Sequence, residues 1–224
     1  MPLENSLMLD FKLYAITDRW LVTDLKAFAA NAARHGLRAL RMREGDLDPG
    51  TSMEMALDLR NAMRGQKFFV STPDDAPDAA GIAAAFAGIV FANGFHVPER
   101  GIGSEWTPER VRGPFQDMLC GVSVHSLDAA QRAEAWGADF LTFGNVFDTP
   151  SKRAMGFEPQ GLGKLKKVVN AVKLPVFAIG GITPAGARLC LDEGAWGVAV
   201  IRDLLVAPDL GERIEQYREV LGTL

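Results

Sequence analysis

The stretch Val176–Thr183, VFAIGGIT, is followed about twenty residues later by Gly197–Asp203, GVAVIRD. A short apolar run ends in Gly180 and Gly181, a helical segment follows, and a second apolar run closes the unit. This reads as strand, tight turn, helix, strand. Glycines at the mouth of a strand let backbone N–H groups approach a ligand with no Cβ in the way. In (β/α)₈ barrels the loops after the last two strands commonly bind a phosphate in this manner. The two runs are the last in the chain, so the placement fits. The plain alternative is a βα turn made sharp by glycine. The position within the whole pattern favours the phosphate site.

Working outward, eight strand-like runs can be placed. They are Leu13–Thr17, Ala39–Arg43, Lys67–Ser71, Gly88–Phe91 with an extension to His96, Leu119–Val124, Phe140–Gly144, Val176–Ile179 and Gly197–Ile201. Between them lie alanine-rich amphipathic stretches, Leu25–His35, Met53–Met63, Leu127–Trp136 and Ala185–Glu193, each ending at or near a glycine. Glycine just past the last periodic residue is a common helix stop. The fourth unit draws its helix from Thr107–Phe115, which holds Gly113 and Pro114 and is expected to be short or distorted. The βα alternation predicts a parallel sheet, and eight repeats predict an α/β fold closed into one TIM barrel, with residues 1–224 as a single domain.

Composition narrows the function classes. The chain has 224 residues, enough to bury roughly 70% of its unfolded surface. A net charge of −4 gives no reason to expect nucleic acid or an anionic membrane as partner. No apolar run approaches the roughly 20 residues of a membrane span. Cys120 and Cys190 sit in apolar contexts and read as core residues of a reducing compartment. The N-terminus carries Glu4 and Asp10 and lacks a signal pattern, so a cytoplasmic protein is expected.

Candidate site residues come from the C-terminal ends of the strands. Arg41 and Arg43 share a strand face and could pair on a phosphate or carboxylate. Ser123 and His125 share a face opposite Val122 and Val124. The pKa of histidine lies near neutrality, which suits general acid/base work. Ser126 reads as the N-cap of the next helix. The long polar segment Asn145–Gly161 offers Thr149, Ser151 and Lys152, two hydroxyls and a cation suited to an anionic ligand. His96 is given no role.

The blocks LYAITDR (Leu13–Arg19), RMRE (Arg41–Glu44), GVSVHSLDAA (Gly121–Ala130), GADFLTFGNVFDTPSK (Gly137–Lys152), VFAIGGIT and GVAVIRD resemble, in order and spacing, the thiamine phosphate synthase family and its TenI-like branch of thiazole tautomerases. The resemblance implies a (β/α)₈ barrel. It implies that Thr149, Ser151 and Lys152 hold substrate phosphate groups and that Arg43 binds diphosphate in the synthases. Gly181 and the backbone near Ile201 and Arg202 would bind a thiazole phosphate. Ser123 matches the strand-five serine, and His125 matches the position of acid/base chemistry in the tautomerase.

The chain departs from the synthase pattern. Synthases carry Gln and Lys beside the strand-two arginine, where this chain has Arg41 and Gly45. Ser71 and Thr72 stand where Asn-Asp is expected, and Gly101 where a second magnesium-binding Asp is expected, with Asp74 and Asp75 close by. The family serine near the last phosphate contact is Arg202.

Three readings follow. The favoured one is a TenI-like tautomerase, a proton-transfer isomerase of a thiazole phosphate with His125 as catalytic group, no metal and no cofactor. The alternative is thiamine phosphate synthase, a magnesium-dependent transfer of an aminopyrimidine from its diphosphate to thiazole phosphate. The third is a non-catalytic phosphate-ligand-binding or regulatory protein. The expected partner is a small phosphorylated molecule, and homo-oligomerisation is left open.

Overall fold

The computed structural model describes residues 9–71, 78–103, 107–112 and 117–222. The strands are β1 (Leu13–Ile16), β2 (Ala39–Met42), β3 (Lys67–Ser71), β4 (Gly94–Val97), β5 (Leu119–Val124), β6 (Phe140–Gly144), β7 (Val176–Ile179) and β8 (Gly197–Val200). They pair in parallel, each with its chain neighbours, and β8 closes on β1 to complete a barrel. The expected fold class is therefore observed.

Helices cover the outside. They are α1 (Leu25–Arg34), α2 (Pro49–Ala62), α3 (Ala79–Ile89), α4 (Pro108–Arg112), α5 (Leu127–Trp136), α6 (Pro150–Ala154), α7 (Gly161–Ala171), α8 (Pro184–Asp192), α9 (Arg202–Leu205) and α10 (Leu210–Leu221). Their starts are written locally. Asp24, Asp48, Asp78, Ser126, Thr149, Thr183 and Asp209 each accept a hydrogen bond from the backbone N–H three residues on, so an orphan donor of each first turn is satisfied. Cys120 and Cys190 are both buried free thiols. No helix among the described residues is long and apolar enough to cross a membrane.

One expected element is corrected. Gly88–Phe91 is not strand: Gly88 and Ile89 end α3, and β4 begins only at Gly94. The run AAGIAAAFAGI is apolar nearly all round, so its period is hard to read, but its alanine content favours helix. At the end of this helix Phe91 takes φ 53° with an exposed ring, where α1, α5 and α8 use Gly36, Gly137 and Gly194 at positive φ.

Alternation along the strands separates two apolar populations. One faces the helices, as with Leu40, Phe68, Val70, Phe95, Val122, Leu141, Ala178 and Val198. The other fills the barrel interior: Leu9, Phe11, Tyr14, Ile16, Ala39, Phe69, Leu119, Phe140, Phe177 and Ala199. Five of these are rings. Phe11, Tyr14, Phe69, Phe140 and Phe177 interlock with centroids 5.2 to 6.1 Å apart, mostly edge to face. Such geometry adds to area burial, so this cluster is a rigid floor. Above it the interior-facing side chains turn polar: Arg41, Ser71, His96, Ser123 and Thr142.

Phe140 touches four other interior rings, those of Phe11, Tyr14, Phe69 and Phe177. Phe140→Ala is expected to cost about 3–5 kcal/mol of unfolding free energy. Urea denaturation checks it, and a loss below about 1 kcal/mol would mean that the floor collapses to fill the gap.

Candidate active site at the barrel mouth

The C-terminal ends of β1 and β2 are locked by one carboxylate. Glu44 is buried and accepts from the Thr17 hydroxyl at 2.6 Å, the Arg19 backbone N–H at 3.1 Å and the Arg19 guanidinium at 3.1 Å. Thr17 Oγ1 in turn accepts from the Arg43 backbone N–H at 2.9 Å. Asp46 holds the outer edge of the same guanidinium, so Arg19 is clamped between two carboxylates and stacks on Trp20 at 4.6 Å. None of Thr17, Arg19 and Glu44 was picked out as a site residue from sequence. The signal available was a carboxylate directly after Arg43 on a strand end.

Arg41 and Arg43 diverge in setting. Arg41 is buried inside the barrel and donates its Nε to Ser71 Oγ at 2.7 Å. Arg43 lies one residue past β2 and is exposed at the mouth. Both guanidinium charges nevertheless bear on one deeper residue, His96, and lower its pKa. That histidine is fully buried. Nε2 lies 2.9 Å from Ser123 Oγ and 3.4 Å from Thr142 Oγ1, and Thr142 donates to Ser123 at 3.2 Å. Burial first, then the two arginines, pushes the His96 pKa well below the usual histidine value, so the ring is neutral. Ser123 is thus placed at the mouth as expected, and His96 is a structural partner that the sequence reading left without a role.

His125 follows β5 directly and is about half exposed. Glu99, from the 3₁₀ turn Glu99–Gly101 after β4, accepts from both the His125 backbone N–H and its Nδ1, each at 3.0 Å. A carboxylate only accepts, so Nδ1 carries the proton and Nε2 is left bare in the neutral ring. Arg132 of α5 stands 3.7 Å from the other Glu99 oxygen. Ser126 caps α5 as expected.

Past β6 the long segment is not a bare loop. It contains α6, and Thr149 spends an acceptor lone pair capping it by taking the Lys152 N–H at 3.2 Å. The Lys152 ammonium sits 5.1 Å over the Phe157 ring. The side chain of Ser151 lies outside the described residues, as do Thr72, Asp74 and Asp75.

Gly180 and Gly181 both take positive φ, 98° and 65°. A Cβ on Gly180 would meet Asn145 Cβ at 2.4 Å, and one on Gly181 would meet the Asp148 carbonyl at 2.6 Å. The glycines are therefore demanded by packing of the turn against the segment after β6, whatever binds there. The Gly181 N–H has no partner among the described residues. Ile201 is the half-buried N-cap of α9, and Arg202 projects exposed from its first turn. Behind them, the Tyr217 hydroxyl of α10 lies 3.1 Å from the Ile182 carbonyl and 2.8 Å from Asp203, which also pairs with Arg213. The last helix thus braces both final loops.

Arg41, Arg43, Lys152 and Arg202 all lie on strand ends or in the segments that directly follow them, four cations at the C-terminal end of the barrel in a chain of net charge −4. Cations at that end can draw an anion. Comparison with known proteins gives the chain a family. Residues 13–204 match the family model described as thiamine monophosphate synthase. The chain belongs to the thiamine monophosphate synthase family. A Geobacter sulfurreducens relative is 38% identical over 208 residues, covering 91% of each chain. The thiamine-phosphate synthase of Pyrococcus furiosus is 34% identical over 227 residues, 99% of this chain and 98% of its own. The solved thiamine phosphate pyrophosphorylase from Pyrococcus furiosus superposes with a TM-score of 0.76 at 33% identity, covering 96% of this chain and 98% of that one. A 3-hexulose-6-phosphate synthase superposes at 0.72 with 17% identity, covering 94% of this chain and all of that one, a likeness of fold alone. The chain is thus a barrel enzyme of a thiamine-biosynthesis family.

Glu44 is buried and Asp46 is exposed, so Glu44→Gln is expected to destabilise clearly more than Asp46→Asn, because surface pairs contribute little. Thermal unfolding of the two variants checks the order. The unfolded chain protonates His96 as pH falls through about 6.5 while the fold keeps it neutral. Unfolding free energy should therefore fall with decreasing pH below about 6.5, by about 1.4 kcal/mol per unit from this group. His96→Gln should flatten that slope in denaturation curves taken at several pH values.

Proposed function

We propose that this chain is a thiamine-phosphate synthase. It would join an aminopyrimidine from its diphosphate to a thiazole phosphate. The observation that carries the reading is identity of about a third across nearly the whole length of proteins bearing that name, one of them with a solved structure. In the proposed reaction, the bond from the pyrimidine methylene to the diphosphate oxygen breaks. Diphosphate leaves with the electron pair, and a new bond forms to the thiazole phosphate. The chain's own part is electrostatic. Arg43 and Lys152 neutralise phosphate oxygens at the mouth, Arg41 sets positive potential from below, and the Gly181 N–H offers a donor to the second phosphate. Ser123 orients a ring.

The resemblance also implies magnesium. Among the described residues no three acidic, histidine or cysteine side chains gather as a metal site. Glu44 is spent on Thr17 and Arg19, Glu99 on His125, and Ser71 on Arg41. The described residues alone do not fit the ion.

A second reading, the tautomerase, rests on one observation. Glu99 holds Nδ1–H of His125 and leaves Nε2 bare, a carboxylate–imidazole pair arranged as a proton acceptor.

Incubation with an aminopyrimidine diphosphate, a thiazole phosphate and magnesium should release diphosphate and form thiamine phosphate. Arg43→Ala should lower kcat/KM by roughly 10- to 100-fold, the loss of a charge-assisted contact. No coupling, together with isomerisation of a thiazole carboxylate phosphate that drops about 10²–10⁴-fold in His125→Ala, would establish the tautomerase instead. Binding without turnover of either would point to a regulatory protein.

A further inference from the structure

Two buried polar side-chain atoms inside the barrel have no hydrogen-bond partner among the described residues, Tyr14 Oη and His96 Nδ1. The second bears on Ser123. A Cβ built on Gly121 would lie 2.4 Å from His96 Nδ1 and 2.5 Å from Phe140 Cζ. Nδ1 is therefore packed against the bare Cα of β5 and an aromatic edge, with no acceptor in reach. A proton placed there would make an orphaned buried N–H, the rarest kind of unsatisfied backbone or side-chain group. On Nε2 the proton meets Ser123 Oγ at 2.9 Å. Thr142 donates to the same oxygen at 3.2 Å. A serine hydroxyl has two lone pairs and one proton. With one lone pair taken by His96 Nε2–H and the other by the Thr142 hydroxyl of the neighbouring strand, only the Ser123 proton is left for a ligand.

We propose that His96 is a positioning residue that, with Thr142, makes Ser123 a hydrogen-bond donor only, so that the site selects a ligand presenting an acceptor such as a heteroaromatic ring nitrogen. The groups around the ring agree. Arg41 and Arg43 act on it as positive charges and keep a second proton off, and the Tyr14 hydroxyl, itself pushed up by burial, supplies no anion. The tilted Tyr14 ring, 6.1 Å away, and the Phe140 ring, 5.7 Å away, fix the imidazole plane. The ligand half of the inference rests on the function proposed above, and the tautomer half does not.

Two measurements test it. Nitrogen-15 NMR of the imidazoles should show His96 as the neutral Nε2–H tautomer throughout about pH 5.5 to 8. An Nδ1–H tautomer, or titration inside that window, overturns the assignment in the unmutated protein. The second measurement is equilibrium binding of an aminopyrimidine diphosphate against its analogue with C–H in place of the ring nitrogens. The unmutated chain should prefer the nitrogen ligand by at least about tenfold. Ser123→Ala should abolish the preference, and His96→Leu should shrink it several-fold while phosphate-driven affinity persists. An unchanged preference in His96→Leu overturns the positioning role. Failure of the unmutated chain to bind the diphosphate at all sinks the synthase reading, and the NMR result then decides the role of His96 by itself.

Discussion

Five interior rings decide what the rest of this barrel can do. A closed eight-stranded sheet must fill its own lumen. Here Phe11, Tyr14, Phe69, Phe140 and Phe177 fill the lower part, and Phe11 comes from the segment before β1 rather than from a strand. Everything polar is thereby confined to the upper part. Arg41 and His96 stand directly on the aromatic floor, in a low dielectric that strengthens each contact they make and penalises each they lack. The neutrality of His96 and the potential set by Arg41 are both consequences of that floor.

At the rim, the same side chains carry architecture and chemistry together. Thr149 caps α6 while standing where a phosphate contact is expected, and the Gly180–Gly181 turn is shaped by its fit against Asn145 and Asp148. Glu44 holds the ends of β1 and β2 in one network, which fixes the backbone of Arg43. A site assembled this way is preorganised. The cations do not have to be gathered when an anion arrives, which is what electrostatic catalysis requires.

Much of this was legible in the sequence. Strands with clean boundaries, such as β3, β5, β6 and β7, have short apolar runs closed by glycine, polar residues or a helix cap, and their ends were placed to the residue. The glycine turn, Arg41 of β2 and Arg43 just past it could be located because the strand end is marked by glycine in the one case and strand alternation sets facing in the other. Legibility failed where one property served two purposes. The alanine-rich α3 hides its period because both its faces are apolar, so its last turn passed for strand. His96 reads as a core histidine in one dimension, and only three-dimensional closure brings it beside Ser123 and Thr142, 27 and 46 residues away. Glu99 and His125 are 26 residues apart, on the ends of adjacent strands, and nothing local announces their bond.

The seam between β8 and β1 has a temporal meaning. Trp196 donates its indole N–H to the Phe11 carbonyl across 185 residues of chain, and Gly197 lies so close to Lys12 that a Cβ would touch its carbonyl at 2.2 Å. No earlier part of the polypeptide can stand in for this contact. Until β8 pairs with β1 the sheet has two free edges, and Phe11 and its neighbouring rings lack their last wall. The entropy of closing so long a loop rises only slowly with length, by about 0.6 kcal/mol per doubling. What the long separation exacts is waiting. Until the final strand emerges, both sheet edges are unpaired and open to other chains.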